Sequence, residues 1–220
     1  MTNYRLIIFD WDGTLVDSEA AIVDAFRQAY QQASHRAPTY DEVRNIIGLN
    51  LNDAAAQLSP NLGSRMRLEI VDNYRSNYAN LKQSPKLFPS VSRVLRELNG
   101  QGYALAIATG KSRRGLQKGL AESDLGDLFV ATRTGDQCES KPSPMMLDEI
   151  LDELKIEAKD ALMIGDTEFD LAMARAAGVP RAAVSYGAHS VERLGLFNPI
   201  FMLDKFSQLP EELSRHPDSN

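Results

Sequence analysis

Two carboxylates stand two residues apart in the stretch Phe9-Asp10-Trp11-Asp12-Gly13-Thr14-Leu15-Val16-Asp17. They follow Leu6-Ile7-Ile8-Phe9, an apolar run of the kind that a strand buried on both faces requires. Gly13 then lets the chain turn back sharply. An Asp-Gly pair after a strand is often only a turn. The other reading makes Asp10 and Asp12 a nucleophile and an acid/base. Two further polar groups close apolar runs in the same way: Thr109 after Tyr103 to Ala108, and Asp166 just after Ala161 to Ile164. Open parallel sheets bind ligands beyond the carboxyl ends of their strands, so Asp10, Thr109 and Asp166 are expected to converge.

The rest of the chain must supply that sheet. From Phe88 onward apolar runs alternate with helical periodicity. Val91, Val94, Leu95 and Leu98 predict a helix ending near Gly100 and Gly102, followed by a strand to Ala108 and a helix from Ser112 to about Ala121. A strand at Phe129 to Thr132, a helix to Leu154, a strand at Ala161 to Ile164, a helix from Glu168 to Ala177 and a strand at Arg181 to Ser185 follow. An edge strand at Ile200 to Leu203, a last helix at Phe206 to Leu213 and a frayed polar tail complete the reading. Strands and helices alternating at these lengths predict an α/β fold with a doubly wound parallel sheet.

Residues 18 to 81 differ. Ala21, Ile22, Ala25, Phe26, Ala29 and Tyr30 recur at helical spacing, and Thr39 with Glu42 makes a capping box before Val43, Ile46 and Ile47. Gly48 is expected to stop that helix, an Ala-rich helix spans Asp53 to Leu58, and a longer one runs through Ile70, Val71, Tyr74 and Tyr78. The expected organisation is therefore a core over 1–16 and 83–220 with an inserted, all-helical unit over 17–82. Its hinges fall at Val16 to Glu19 and Lys82 to Phe88, the second stiffened by Pro85 and Pro89.

Composition narrows the function. Hydrophobic residues at 43% and charged ones at 25% describe an ordinary globular chain able to bury a core. A net charge of −6 without a basic stripe argues against nucleic acid, whose phosphates demand one. The single cysteine, Cys138, excludes an internal disulfide framework. No apolar run has the length of a membrane span and no signal-peptide pattern is seen, so no membrane contact and a cytoplasmic location are expected. The three histidines show no ligand spacing.

Asp10-Trp11-Asp12-Gly13-Thr14, Thr109-Gly110-Lys111, Lys141-Pro142 and Gly165-Asp166-Thr167-Glu168-Phe169-Asp170 come in the order of the four motifs of the haloacid dehalogenase-like hydrolase superfamily. With a helical insert directly after the first motif, the chain resembles the phosphoglycolate phosphatase-like branch of that superfamily, which carries a small helical cap. The resemblance spans nearly the whole sequence. It implies a Rossmann-like sheet with the Asp10 strand at its centre, between the strands ending at Thr109 and Asp166.

The resemblance also implies roles. Asp10 attacks phosphorus and forms an acyl phosphate, splitting one displacement into two. Asp12 protonates the departing alkoxide and later takes a proton from water. Like charges about 4 Å apart repel by roughly 4 kcal/mol at an effective dielectric near 20, so a phosphate facing these carboxylates needs a cation. Mg²⁺ is the expected cofactor, held by Asp10, Asp166 and the backbone carbonyl of Asp12. Asp170, one turn after Asp166, joins that site directly or orients it, or is simply a carboxylate favoured at a helix N-terminus. Lys141 neutralises the phosphoryl oxygens and Thr109 donates a hydroxyl hydrogen bond to them. Gly110 and Lys111 are further candidates for binding the substrate, as are Gly48 and Asn50, whose loop reaches the leaving group in proteins of this kind.

The expected partner is a small phosphorylated metabolite, hydrolysed by a monomer or homodimer. A phosphosugar mutase with the same four motifs is the alternative, with a receiver-type phospho-signalling module behind it. Carbon–halogen hydrolysis needs neither an acid at Asp12 nor a metal at Asp166.

Overall fold

A computed structural model of the protein describes residues 4–216; the expected frayed tail lies outside them, at 217–220. The central strand is β1 (Leu6–Phe9), buried along its whole length. Successive side chains of a strand point to opposite faces, and here both faces are covered. Ile7 and Phe9 pack with Val91, Val94, Leu95 and Leu98 on one side, while Leu6 and Ile8 pack with Met146, Leu147, Ile150 and Met173 on the other. The continuous apolar run thus reflects helices on both faces.

The sheet holds six parallel strands in the order β5-β4-β1-β6-β7-β8. They are β4 (Ala104–Thr109), β5 (Phe129–Thr134), β6 (Ala161–Gly165), β7 (Arg181–Val184) and β8 (Met202–Leu203). Chain order runs outward from β1 in both directions, through β4 and β5 on one side and through β6, β7 and β8 on the other. The carboxyl end of β1 is therefore a topological switch point, where such sheets leave a crevice for ligand. The crossover helices are α5 (Val91–Gly100), α6 (Arg113–Ser123), α7 (Met145–Leu154) and α8 (Glu168–Ala176). A short α9 (Val191–Gly195) and the closing α10 (Leu209–Arg215) complete the core, with 3₁₀ turns at Gly126–Leu128, Ala158–Asp160 and Phe206–Gln208. The expected last helix is split, its first turn being 3₁₀.

Between the first motif and α5 stand four helices: α1 (Glu19–Gln32), α2 (Tyr40–Arg44), α3 (Leu51–Leu58) and α4 (Ser64–Ala79). They share an apolar cluster of their own, including Val23, Phe26, Tyr30, Val43, Ile47 and Ile70. The Thr39/Glu42 capping box starts α2. That helix ends at Arg44, and the chain turns through i+3 bonds (Ile46 N to Val43 O 3.0 Å, Ile47 N to Arg44 O 3.3 Å) before Gly48 takes φ +103°. The two chain crossings into and out of these helices run side by side. β2 (Val16–Asp17) pairs antiparallel with β3 (Lys86–Leu87), and Phe88 N donates to Leu15 O at 3.0 Å.

The burial of β1 gives a direct test. Ile7 is fully buried in the larger core cluster, whereas Leu196 is 75% exposed. Ile7→Ala is expected to cost about 2–5 kcal/mol and Leu196→Ala less than about 0.5 kcal/mol, read from urea unfolding midpoints at constant m.

Candidate active site

Three strand ends bring the first set of polar groups together. Asp10 continues the ladder beyond β1, its N–H donating to Ile164 O at 3.0 Å, with Thr109 ending β4 on one side and Asp166 following β6 on the other. The Lys141 ammonium donates to Asp10 Oδ1 and to Asp170 Oδ1, both at 2.6 Å, and its side chain is fully buried. It arrives from the loop between β5 and α7. The other oxygen of Asp170 accepts from Thr167 N (3.0 Å) and Thr167 Oγ1 (2.6 Å), while Asp170 N donates back to Thr167 Oγ1 at 3.3 Å. This reciprocal cap fixes the first turn of α8, so one carboxylate starts the helix and holds the lysine. Asp166 accepts from Thr14 Oγ1 at 2.9 Å and from Ala188 N at 2.8 Å. Gly13 has φ +85°, and a Cβ there would lie 2.2 Å from Asp166 Oδ2, so this position of the turn can carry no side chain.

One ammonium does not neutralise three buried carboxylates. Burial lifts Asp10 from its ordinary 3.8 to about 7, against the pull of Lys141 and with the help of Asp170. Burial, then Asp10 and Asp170, push Asp166 well above the carboxylate range. Burial pulls Lys141 down, yet Asp10 and Asp170 outweigh it and hold the ammonium above its usual value. The cluster is short of positive charge. One oxygen from each of Asp10, Asp166 and Asp170 lies within 4.8 Å of the others, and Asp10 Oδ2 is buried with no hydrogen-bond partner. An all-oxygen, carboxylate-rich set with one orphaned oxygen suits a hard divalent cation such as Mg²⁺.

Asp12 belongs to a second, adjacent group. Its Oδ1 accepts from Ser18 Oγ at 2.7 Å, and Lys111 Nζ lies 3.0 Å from both of its oxygens. Lys111 also donates to Tyr78 OH, at 3.2 Å, on helix α4 of the insert. Thr109 is buried; its hydroxyl oxygen accepts from Lys111 N at 3.2 Å and keeps its own proton to donate.

The insert sits directly on this ground. A Cβ at Gly110 would lie 2.4 Å from Leu49 O and 2.6 Å from Gly48 O, and one at Gly48 would lie 2.8 Å from Thr167 Oγ1. Asn50 N donates to Ser140 Oγ at 3.0 Å, one residue before Lys141. The Asn50 side chain also has a local partner: its Oδ1 accepts from Asp53 N at 2.9 Å and caps α3. The sequence reading passed over this N-cap, although Asn three residues before Asp at a helix start is the usual signal.

Other members of the site were also missed. Thr14, Ser18, Tyr78 and Thr167 orient Asp166, Asp12, Lys111 and Asp170. Thr167-x-x-Asp170 has capping-box spacing and was legible; Tyr78, on a helix remote in sequence, carried no signal. His189, given no chemistry, is buried between core and insert, where its Nδ1 accepts from Glu168 N at 3.0 Å. Burial and the nearby Arg193 guanidinium lower it to about 4, leaving it neutral. Arg193 joins Glu168 to Asn45 Oδ1 (2.8 Å), and Arg44 donates to Gly187 O (3.1 Å), two more ties between insert and core.

The family model described as haloacid dehalogenase-like hydrolase matches residues 7–184. Phosphoglycolate phosphatase of Vibrio parahaemolyticus is 30% identical over 221 residues, spanning 95% of this chain and 96% of the relative. Pyrophosphatase PpaX of Bacillus cereus is 31% identical over 210 residues, spanning 94% and 95%. The crystal structure of a predicted phosphoglycolate phosphatase from Haemophilus somnus covers 96% of this chain and 98% of its own, with a TM-score of 0.88 at 24% identity, a likeness of fold alone. With all four motifs gathered at one switch point and the family model spanning most of its length, the chain belongs to the haloacid dehalogenase-like hydrolases.

Proposed function

We propose that this haloacid dehalogenase-like phosphatase hydrolyses a small phosphorylated metabolite in two steps, through a phosphoaspartate on Asp10. The observation that carries the reading is the state of Asp10: one oxygen held by Lys141, the other buried without a partner at the switch point. The names of its relatives, phosphoglycolate phosphatase and pyrophosphatase, support a small phosphate-bearing substrate. Among the described residues no helix is long and apolar enough to cross a membrane. A diffusible phosphate ester and one buried thiol suit an enzyme of the cytoplasm.

In the first step Asp10 Oδ2 attacks phosphorus, and the bond to the leaving oxygen breaks as that oxygen takes a proton from Asp12. In the second, Asp12 removes a proton from water, the water oxygen attacks phosphorus, and the Asp10 carboxylate departs with inorganic phosphate released. Lys141 and the Thr109 hydroxyl face the charge that gathers on the phosphoryl oxygens. Asp10, Asp166 and the Asp12 carbonyl would hold Mg²⁺, which when bound supplies the positive charge that the three carboxylates lack. Both oxygens of Asp170 are engaged by Lys141 and Thr167, which supports an orienting role for it. The insert shuts bulk water out of the first step.

Two outcomes test this reading. Asp10→Asn should abolish turnover of a panel of phosphomonoesters with Mg²⁺ present, by at least about 10³-fold, with the circular dichroism of the wild type; steady-state hydrolysis above background in that variant would remove Asp10 as the nucleophile.

The second concerns metal and pH. Asp10 is raised from 3.8 to about 7, so the metal-free fold keeps this group's stabilisation at low pH and loses it as pH rises toward 7. Cation binding needs the ionised carboxylates, so the rise in Tm with excess Mg²⁺ should be small near about pH 5 and grow to several degrees by about pH 8. An equal shift at both pH values would contradict the charge deficit argued here.

A further inference from the structure

Three consecutive residues after β7, Gly187, Ala188 and His189, lie across Asp166. Gly187 is so close that a Cβ there would lie 2.2 Å from Asp166 Cβ and 2.5 Å from its Oδ2. Ala188 N donates to Asp166 Oδ2 at 2.8 Å, and His189 N donates to Asp166 O at 3.2 Å. With Thr14 on Oδ1, hydrogen bonds aim both oxygens of Asp166, one of them through this segment. Asp166 is fully buried, so bulk water does not replace a donor that moves away.

The other side of the same segment meets the insert. Arg44, the last residue of α2, donates from Nη2 to Gly187 O at 3.1 Å. Its Nε lies 3.2 Å from Glu19 Oε1 in the first turn of α1, so a carboxylate of the insert aims the guanidinium. Ala188, a residue of the core by sequence, is buried in the apolar cluster that the insert helices share. Residues 187–189 belong to no helix or strand, so their place depends on what packs on either side. The two polar contacts also share one group. The carbonyl that Arg44 holds and the N–H that Asp166 accepts are the two ends of the peptide unit joining Gly187 to Ala188. That unit is planar and rigid, and its C=O and N–H point in opposite directions. Turning the plane breaks both bonds at once; fixing either end fixes the other.

We propose that Arg44 is a positioning residue for the cation site: seated on Gly187 O, it sets the peptide unit that orients Asp166, so that cation binding and this tie of the insert strengthen each other. Without Arg44 the carbonyl loses its partner, the plane is freer to turn, and the Ala188 N–H no longer holds the carboxylate. With a cation on Asp166 the carboxylate is fixed, and the carbonyl stays turned toward Arg44. Such a coupling is reciprocal. The guanidinium charge works against it, since a positive charge alone opposes a metal ion nearby. Removing the charge tightens cation binding and removing the tie weakens it, so the sign of the change separates the two. This assignment rests on the cation site proposed above and adds a residue of the insert that serves it.

The probe is Mg²⁺ alone, titrated by calorimetry into the whole protein at about pH 8, where the carboxylates are ionised. Arg44 is partly exposed, 39% by side chain, so its variants are expected to fold. Arg44→Met should weaken Mg²⁺ binding by about 2- to 10-fold, and Arg44→Lys, which can still donate to Gly187 O, should recover part of that loss. Asn45→Ala removes the Arg193 tie between insert and core and leaves Gly187 O alone; it should bind Mg²⁺ within about 2-fold of the wild type. In the reciprocal measurement, saturating Mg²⁺ should slow amide exchange over residues 40–50 in the wild type, and slow it less in Arg44→Met. Unchanged or tighter Mg²⁺ binding in Arg44→Met, or an equal loss in Asn45→Ala, would overturn the positioning role while wild-type binding left the cation site standing. No Mg²⁺ binding by the wild type would overturn both.

Discussion

The structure depends on a single buried ammonium. Lys141 Nζ lies 2.6 Å from carboxylates that come from separate parts of the chain, Asp10 at the end of β1 and Asp170 in the first turn of α8. Taking these charges out of water is costly, and their mutual attraction repays it only when geometry is good and remaining lone pairs are met. Asp170 meets that condition by bonding Thr167 through its second oxygen. Asp10 does not, and its second oxygen stays orphaned. The ion pair therefore fixes three segments relative to one another while leaving one carboxylate oxygen exposed to chemistry alone.

Around that centre the charges fall into two compartments. Asp10, Asp166, Asp170 and Lys141 form a group deficient in positive charge, sealed beneath the insert. Asp12, Lys111, Ser18 and Tyr78 form a second group in which every carboxylate oxygen is met. The first is short of positive charge, whereas in the second an ammonium stands on the one carboxylate. Covalent proximity joins them, since Asp10 and Asp12 are two residues apart and Thr109 and Lys111 share one turn.

Much of this was legible in the sequence. A run such as Leu6-Ile7-Ile8-Phe9 has no polar face, as a strand buried on both faces requires; its central place followed from the family resemblance, and the polar residues that close such runs marked the crevice. The pairing of β2 with β3 was not legible: each strand has two residues, and their partnership is set by tertiary contact rather than periodicity. The short α9 escaped for want of length. Within the site, Asp10, Thr109 and Asp166 were legible because strand ends position them, whereas Lys141, on a loop, entered through the family resemblance. Tyr78 was not legible, because a tyrosine at helical spacing reads as core until the facing lysine is known. The local cap that Asn50 gives α3 follows from Asn at a helix start three residues before Asp53.

The seating of the insert has a wider consequence. Where it meets the crevice, the contacts that leave no room are made by main-chain atoms: the carbonyl oxygens of Gly48 and Leu49 over Gly110, and Asn50 N on Ser140. This part of the joint reads backbone shape and the absence of a side chain at the glycine. Side-chain ties add to that backbone seat: Arg44 on Gly187 O, Arg193 on Asn45, and Lys111 on Tyr78. The main-chain part of the seat is therefore set by the fold itself, and the side-chain part by residues that substitution can change.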